Sequence, residues 1–227
     1  MSYSDSEEDD TVKQFRVVVL GDGSTGKTSL CSRFAYETFS QSYKQTIGAE
    51  FFSKSIKITD GQEVLLQVWD IGGQSIGHHM INEYIKNAQA VILLYDITRF
   101  PSFRNLQEWY RKVCSAAASS ASGDDKFPYI ALVGNKSDLA AKRAVKLARH
   151  ESFARDNGMA SFYVSARSGD QVDVLFETIA AALTGVKLSP GQIEGDGVIP
   201  ALVPADEKER RGKDIKTQSN PDTCDIV

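Results

Sequence analysis

Short, nearly continuous apolar runs alternate along this chain with longer stretches in which apolar residues recur every third or fourth position. Phe15 to Leu20 closes on Val17-Val18-Val19-Leu20, Ala90 to Ile97 reads AVILLYDI, and Tyr129 to Val133 is of the same kind. Such runs suit strands buried on both faces of a parallel sheet. Phe162 to Val164 adds a short final strand. Phe51 to Thr59 and Val64 to Asp70 flank Asp60-Gly61, and Asp-Gly between two apolar runs signals a hairpin, so this pair should be antiparallel.

The stretches between these runs read as helices. Leu30 and Phe34 lie four apart between Gly26 and Glu37, and Phe103, Leu106, Trp109, Tyr110 and Val113 recur at helical spacing from Ser102 to Ala118. Ala144 to Asn157 should be closed by Gly158, and Val172, Leu175, Phe176 and Ile179 line one face of a last helix from Asp170 to Leu183. The alternation predicts an α/β fold with a six-stranded, mostly parallel sheet. One antiparallel strand lies at its edge, and about five helices flank it. Thr38 to Gly48 is too polar to be core, and Ser119 to Asp125 reads as a polar loop. Residues 1–13 are acidic and should be disordered, residues 14–186 form the domain, and residues 187–227 read as a flexible tail.

Charge and composition narrow the function. The chain has 227 residues, 25% charged and 41% hydrophobic, with a formal net charge of −4. That balance argues against nucleic-acid binding by phosphate neutralisation. No apolar run approaches the length of a membrane span, and Met1 to Asp10 is acidic and Ser-rich, the opposite of an export or transit sequence. Three cysteines make no even disulfide framework. Cys31 and Cys114 fall in helices and should be reduced, which suits a cytosolic compartment.

Each polar loop of chemical interest follows a strand, so these loops should converge at the carboxyl edge of the sheet. Gly21-Asp22-Gly23-Ser24-Thr25-Gly26-Lys27-Thr28 stands between the first strand and a helix that starts at Ser29, the setting a P-loop needs. Glycines let consecutive backbone N–H groups turn toward phosphate oxygens, and the helix N-terminus adds positive charge. Lys27 supplies a cation for the β- and γ-phosphates, and the Thr28 hydroxyl can sit on Mg²⁺. Asp70 can hold the same ion through water, the Gly73 N–H can reach a γ-phosphate, and Gln74 can orient an attacking water. In Asn135-Lys136-Ser137-Asp138, a buried Asp138 carboxylate suits the N1–H and amino edge of guanine and would be left unpaired by adenine. Asn135 can tie this loop to the P-loop, and the stem of Lys136 can cover a base face. In Ser165-Ala166-Arg167, the Ala166 N–H can donate to guanine O6.

These motifs, in this order and spacing, resemble those of the Ras-like small GTPases from Gln14 to Val186, a P-loop G domain. IGAEF (Ile47 to Phe51, including Gly48) and LLYDIT (Leu93 to Thr98) resemble Rab-family signatures. GDG at the P-loop, YKQTIG (Tyr43 to Gly48) and WDIGGQ followed by Ile76-Gly77 resemble a divergent branch of that family. The resemblance implies that Thr46 coordinates Mg²⁺ and touches the γ-phosphate, that Phe39 packs edge-on against guanine, and that Phe51, Trp69 and Tyr84 form an aromatic triad shown to effectors. It implies GTP and GDP as ligands and slow intrinsic hydrolysis, on the order of 10⁻⁴ to 10⁻² s⁻¹. An exchange factor, a GTPase-activating protein and effectors follow as partners, for a monomer engaged in vesicle traffic, with the branch pointing to the base of the cilium.

The sequence also departs from the family pattern. Ile71-Gly72 stands where Rab proteins carry Thr-Ala, and Ser75 where they carry Glu. His78-His79 is no metal pair on a helix, because adjacent residues do not share a face. Two other readings remain open, a GTP-bound adaptor that does not hydrolyse and a P-loop nucleotide kinase. The kinase would need an arginine-rich lid and leaves Asn135 to Asp138 unexplained. Cys224, fourth from the end of this sequence, resembles a prenylation signal, with Asp225 an unusual neighbour. Lys208, Arg210, Arg211, Lys213 and Lys216 are offset by Asp206, Glu207, Glu209 and Asp214, so little attraction to anionic lipid is left. The expectation is a cytoplasmic pool with reversible, prenyl-dependent attachment to the membrane surface.

Overall fold

The structure is a computed structural model that describes residues 12–58, 61–74, 80–119 and 127–186. Strand β1 (Lys13–Leu20) leads into α1 (Lys27–Tyr36), then β2 (Ala49–Lys57), β3 (Glu63–Ile71) and α2 (Met80–Lys86). There follow β4 (Ala90–Asp96), α3 (Phe100–Arg104), α4 (Leu106–Ser119), β5 (Tyr129–Asn135), α5 (Leu147–Asp156), β6 (Ala160–Val164) and α6 (Val172–Thr184). The strands form one sheet in the order β2-β3-β1-β4-β5-β6. Only β2 with β3 is antiparallel, at the edge where the hairpin signal placed it.

Side chains alternate across each strand, and that alternation separates two cores. Val17, Val19, Val68, Ile92 and Val133 face one side and pack with Leu30 and Phe34 of α1 and Leu175, Phe176 and Ile179 of α6. Val18, Leu20, Val91, Leu93 and Leu132 face the other, under Ile81 and Ile85 of α2 and Trp109 and Val113 of α4. All seven residues of β4 are buried, as a strand covered on both faces requires. Phe34 and Phe176 stack with ring centroids 3.7 Å apart and lock α1 against α6. Among the described residues, no helix is long and apolar enough to cross a membrane.

The helix expected over Ser102 to Ala118 is broken at Asn105 into α3 and α4. The Asn105 N–H still bonds the Pro101 carbonyl and its dihedrals are right-handed helical, so the interruption is confined to that residue, whose side chain reaches the P-loop. The next helix starts at Leu147, later than the expected Ala144, because the Ala144 and Val145 N–H groups both donate to the Ile97 carbonyl, at 2.8 and 3.2 Å. That pairing ties the segment to the end of β4 instead of to the helix. Helix α2 was not predicted, although Ile81 and Ile85 lie four apart and are both buried. The acidic residues 1–11, the loop residues 120–126 and the tail from residue 187 lie outside the described residues, as does Asp60 of the hairpin.

The second core encloses a polar chain. His150 is fully buried between Tyr95 (Nδ1 to the hydroxyl, 2.9 Å) and Ser161 (Nε2 to Oγ, 2.7 Å). Burial, with the Arg143 charge nearby, holds its pKa down at about 3, against an ordinary 6.5. The imidazole is therefore neutral when folded and takes up a proton on unfolding once the pH is below 6.5. The unfolded state then binds more protons, so His150 lowers stability as pH falls through the window from 6.5 down to about 3, and has no effect above it. The expected loss at about pH 5 is roughly 2 kcal/mol. Urea unfolding as a function of pH, compared between the parent and His150→Gln, checks this. Parallel stability curves below neutral pH would disprove it.

Candidate functional site

The loops after β1, β3, β5 and β6 meet with the segment after α1 around a cleft of about 1000 Å³. Its walls include Gly23, Ser24, Gly26, Lys27, Thr28 and Ser29 from the first loop and helix. Phe39, Thr46 and Ile47 come from the segment before β2, Gly73 and Gln74 from the end of β3, and Asn135, Lys136, Asp138, Ala166 and Arg167 from the far side. A smaller groove of about 410 Å³, lined by Gln14, Arg16, Gln67, Asn87 and Gln89, gathers none of the motif residues.

Backbone geometry explains why the first loop needs its glycines. Gly26 has φ +95°, and a Cβ there would lie 2.4 Å from Asn135 Nδ2. A Cβ on Gly73 would lie 2.2 Å from the Gly23 nitrogen, so only glycine lets the end of β3 come this close to the P-loop. Lys27 is 5% exposed, and its Nζ donates to the Gly21 and Asp22 carbonyls, both at 2.9 Å. Burial lowers its pKa, and the Asp70 carboxylate is the main group opposing that shift. The Thr25 hydroxyl is turned inward to the Asp22 carbonyl. The Asp22 carboxylate is turned away from the cleft and accepts from Asn105 Nδ2 at 2.7 Å and Trp109 Nε1 at 3.0 Å. Asp22 is not among the residues that line the cleft. The sequence marks Trp109 only by its helical spacing and gives no signal for Asn105.

Three oxygen donors from distant positions converge beside Lys27. Thr28 Oγ1 lies 2.9 Å from Thr46 Oγ1, and both hydroxyls donate to Asp70 Oδ2, Thr46 at 3.2 Å. Asp70 is fully buried, and its Oδ1 has no hydrogen-bond partner among the described residues. Burial raises its pKa, and the Thr28 hydrogen bond, the Lys27 charge and the Thr46 hydrogen bond oppose the rise. A carboxylate with one unanswered oxygen next to two hydroxyls is a hard-oxygen set that fits Mg²⁺, which takes one or two carboxylates and fills its shell with phosphate and water. No group of three His, Cys, Asp or Glu suited to a metal occurs among the described residues, in keeping with that sparse donor set. Gln74 accepts a hydrogen bond from Gln45 at 2.9 Å, and the Gly72 N–H donates to the Gly48 carbonyl at 2.8 Å, so the segment before β2 and the end of β3 are joined twice.

On the far side, Asn135 is 1% exposed and all its side-chain bonds go to protein. Its Nδ2 donates to the Thr25 carbonyl at 2.9 Å, as expected for a tie to the P-loop, and Oδ1 accepts from the Lys136 and Ala166 N–H groups at 2.8 and 3.1 Å. The Ala166 N–H thus already has a protein acceptor. Lys136 has φ +68° and reaches over the P-loop to Ser24, with Nζ 2.7 Å from the buried Asp96 carboxylate. Asp96 was not predicted as part of the site. Burial pushes its pKa up, but the hydrogen bonds from Lys136 and Thr98 outweigh that and leave it lowered. Asp138 is exposed to the cleft rather than buried, with Oδ1 held by the Ser165 hydroxyl at 2.6 Å.

Phe51, Trp69 and Tyr84 touch in series, with ring centroids 5.1 and 5.4 Å apart. Phe51 is 47% exposed, and Ile47, before it in the chain, is 91% exposed. Gln74 is the last described residue of its loop, so Ser75, Ile76, Gly77, His78 and His79 lie outside the described residues, and so does Cys224.

A P-loop facing a second loop that ends in an exposed carboxylate, on a mostly parallel sheet with one antiparallel edge, defines a GTP-binding protein of the Ras-like class. The sequence model of the Ras family matches residues 16–185. Ras-related protein Rab-28 of Caenorhabditis elegans is 42% identical over 193 residues, 85% of this chain and 76% of that protein. The chain belongs to the Ras family, as a GTP-binding small GTPase of the Rab kind.

Gly26→Ala is expected to push Asn135 off the Thr25 carbonyl and to destabilise the fold by about 1–3 kcal/mol. Denaturant unfolding of the nucleotide-free protein measures this. A parental midpoint would mean that the close approach of Gly26 to Asn135 is not a real constraint.

Proposed function

We propose that this protein is a GTP/GDP switch that hydrolyses the γ-phosphate slowly, with an activating protein needed for speed. The observation that carries the reading is the convergence of Thr28, Thr46 and Asp70 beside Lys27, around a carboxylate oxygen that lacks a partner. Mg²⁺, when bound there with nucleotide, supplies positive charge against the phosphates. Thr28, Thr46 and Asp70 are the residues that would hold it. Gly21 to Ser29 cradle the phosphates, and Lys27 neutralises them. Thr46 and the Gly73 N–H sense the γ-phosphate, so its loss frees both segments, which partners then read.

The base lies between Phe39 and the far loops. Asp138 accepts from guanine N1–H and the amino group, Lys136 covers a face, and Ala166 and Arg167 close the edge near O6. For Ala166 this means sharing its N–H between the base and Asn135. Ile47, Gly48, Phe51, Trp69 and Tyr84 form the effector surface. The partly exposed aromatic series and the fully presented Ile47 support that assignment.

Asp138→Asn is expected to weaken guanine nucleotide binding and create a preference for xanthine nucleotide, because an amide then faces a carbonyl instead of a donor. Competition between GDP and XDP on the purified variant measures it, and unchanged guanine affinity would sink the base assignment.

Hydrolysis rests on Gln74 orienting the attacking water. In this structure that amide oxygen accepts from Gln45, a bond that competes with one to a water. The same bond favours a second reading, a GTP-bound adaptor that does not turn over. Single-turnover assays separate the two, with Gln74→Leu expected to keep GTP bound and slow its hydrolysis by about 10-fold or more. A parental rate in that variant would remove Gln74 from the mechanism.

The membrane side of the reading is reversible attachment through a prenyl group on Cys224, in the service of vesicle traffic and of the ciliary base. One chain gives weak binding without a second signal, and the charges of the tail nearly balance. Cys224→Ser is expected to empty the membrane fraction while nucleotide affinity and hydrolysis stay at the parental level. Equal membrane fractions in variant and parent would rule out the lipid.

A further inference from the structure

Arg33 stands in the last turn of α1, outside the walls of the cleft, yet its guanidinium is spent on the loop that closes the cleft. Its Nε donates to the Ala166 carbonyl at 3.0 Å and Nη2 to the Arg167 carbonyl at 2.7 Å. Nη1 donates to the Glu37 carbonyl at 2.6 Å. Glu37 is the left-handed residue that ends α1, and its own N–H returns to the Arg33 carbonyl. Ala166 is thereby gripped on both sides of its peptide. Its N–H goes to Asn135 and its carbonyl to Arg33. The loop leans on the Arg33 stem as well, with Gly169 placed so that a Cβ would meet Arg33 Cδ at 3.6 Å.

Arg33 makes no ion pair among the described residues. Its charge is answered by backbone carbonyls alone, two from the far loop and one at the C-terminal end of α1, where the helix dipole favours a cation. Three carbonyls in different directions suit a planar fork with five donors, and a lysine ammonium, a single point, cannot span them.

We propose that Arg33 is a positioning residue for base recognition. By anchoring the Ala166 and Arg167 carbonyls to the end of α1, it holds Ser165 in place. Ser165 in turn orients the Asp138 carboxylate through its 2.6 Å hydrogen bond. The same guanidinium fixes the Glu37 carbonyl, from which the chain runs to Phe39 on the opposite wall, so it sets the width of the slot between the two walls. This inference rests on the reading of Asp138 as the guanine acceptor.

The experiment compares GDP with IDP, which lacks the amino group that Asp138 accepts from, in the parent, Arg33→Lys and Arg33→Gln. Affinities come from competition against a fluorescent GDP, with thermal unfolding recorded beside them. The parent should prefer GDP, and both variants should lose about 10-fold or more of that preference, the scale of a charge-assisted hydrogen bond. Faster GDP dissociation should accompany the loss. Arg33→Lys keeps the charge and the apolar stem, which guards against simple misfolding. Full preference in Arg33→Lys would overturn the proposal, because charge without the fork would then suffice. GDP and IDP weakening in parallel would also overturn it, since that is what a merely structural arginine produces. A parent that does not distinguish GDP from IDP would instead refute the Asp138 reading, a failure visible before any variant is made.

Discussion

The site depends on one buried amide. Asn135 is the point where three loops from distant parts of the chain are held together, through the Thr25 carbonyl, the Lys136 N–H and the Ala166 N–H. An amide offers a donor and an acceptor a short distance apart, and here both ends are used. Apolar replacement would leave a buried carbonyl and buried N–H groups without partners, each at a cost of about 1–3 kcal/mol. Aspartate would keep the acceptor and lose the donor to Thr25. The requirement extends outward, because Gly26 has no room for a Cβ while Asn135 occupies that place. Arg33 completes the frame from the other side of the Ala166 peptide.

The opposite end of the cleft is built on charge rather than on a satisfied network. Lys27 and Asp70 are both buried, and burial disfavours the charged form of each. Neither is fully answered by the protein. Lys27 leans on two P-loop carbonyls, and one oxygen of Asp70 has no partner among the described residues. In surroundings of low dielectric, such groups favour a ligand that brings the missing charges, an anion for the lysine and a cation for the carboxylate. The stiff end suits a base, and the charge-starved end suits a phosphate and a metal ion. That division suits the proposed switch, in which the part left incomplete would sense the γ-phosphate.

The sheet makes this arrangement possible. β1 lies between β3 and β4, and the register sets Val19 beside Asp70 and beside Ile92, so the P-loop leaves the sheet between two strands whose ends also carry site residues. Two cores, one on each face, hold the strand ends still. Asp22 and its bonds to Asn105 and Trp109 carry that rigidity from α4 directly into the loop.

The local pattern of the sequence was enough for the strands, their one antiparallel pair, the helices at helical spacing and the loops that meet at the strand ends. Each of these follows from burial period or turn chemistry within a few residues. That Lys27, Thr28, Asp70, Asn135 and Asp138 come together at one edge of the sheet was legible for the same reason, because each stands at or just past the carboxyl end of a strand. Tertiary structure decided where side chains go once partners from elsewhere arrive. Asp22 turns to residues 83 and 87 positions away, and Arg33 to carbonyls 133 and 134 positions away. The Ile97 carbonyl holds Ala144 and Val145 out of the helix that follows them. Hydrophobic periodicity records which face of an element is buried. It carries no information about which polar group will stand opposite after folding, and those pairings, made across the whole chain, are what shape this site.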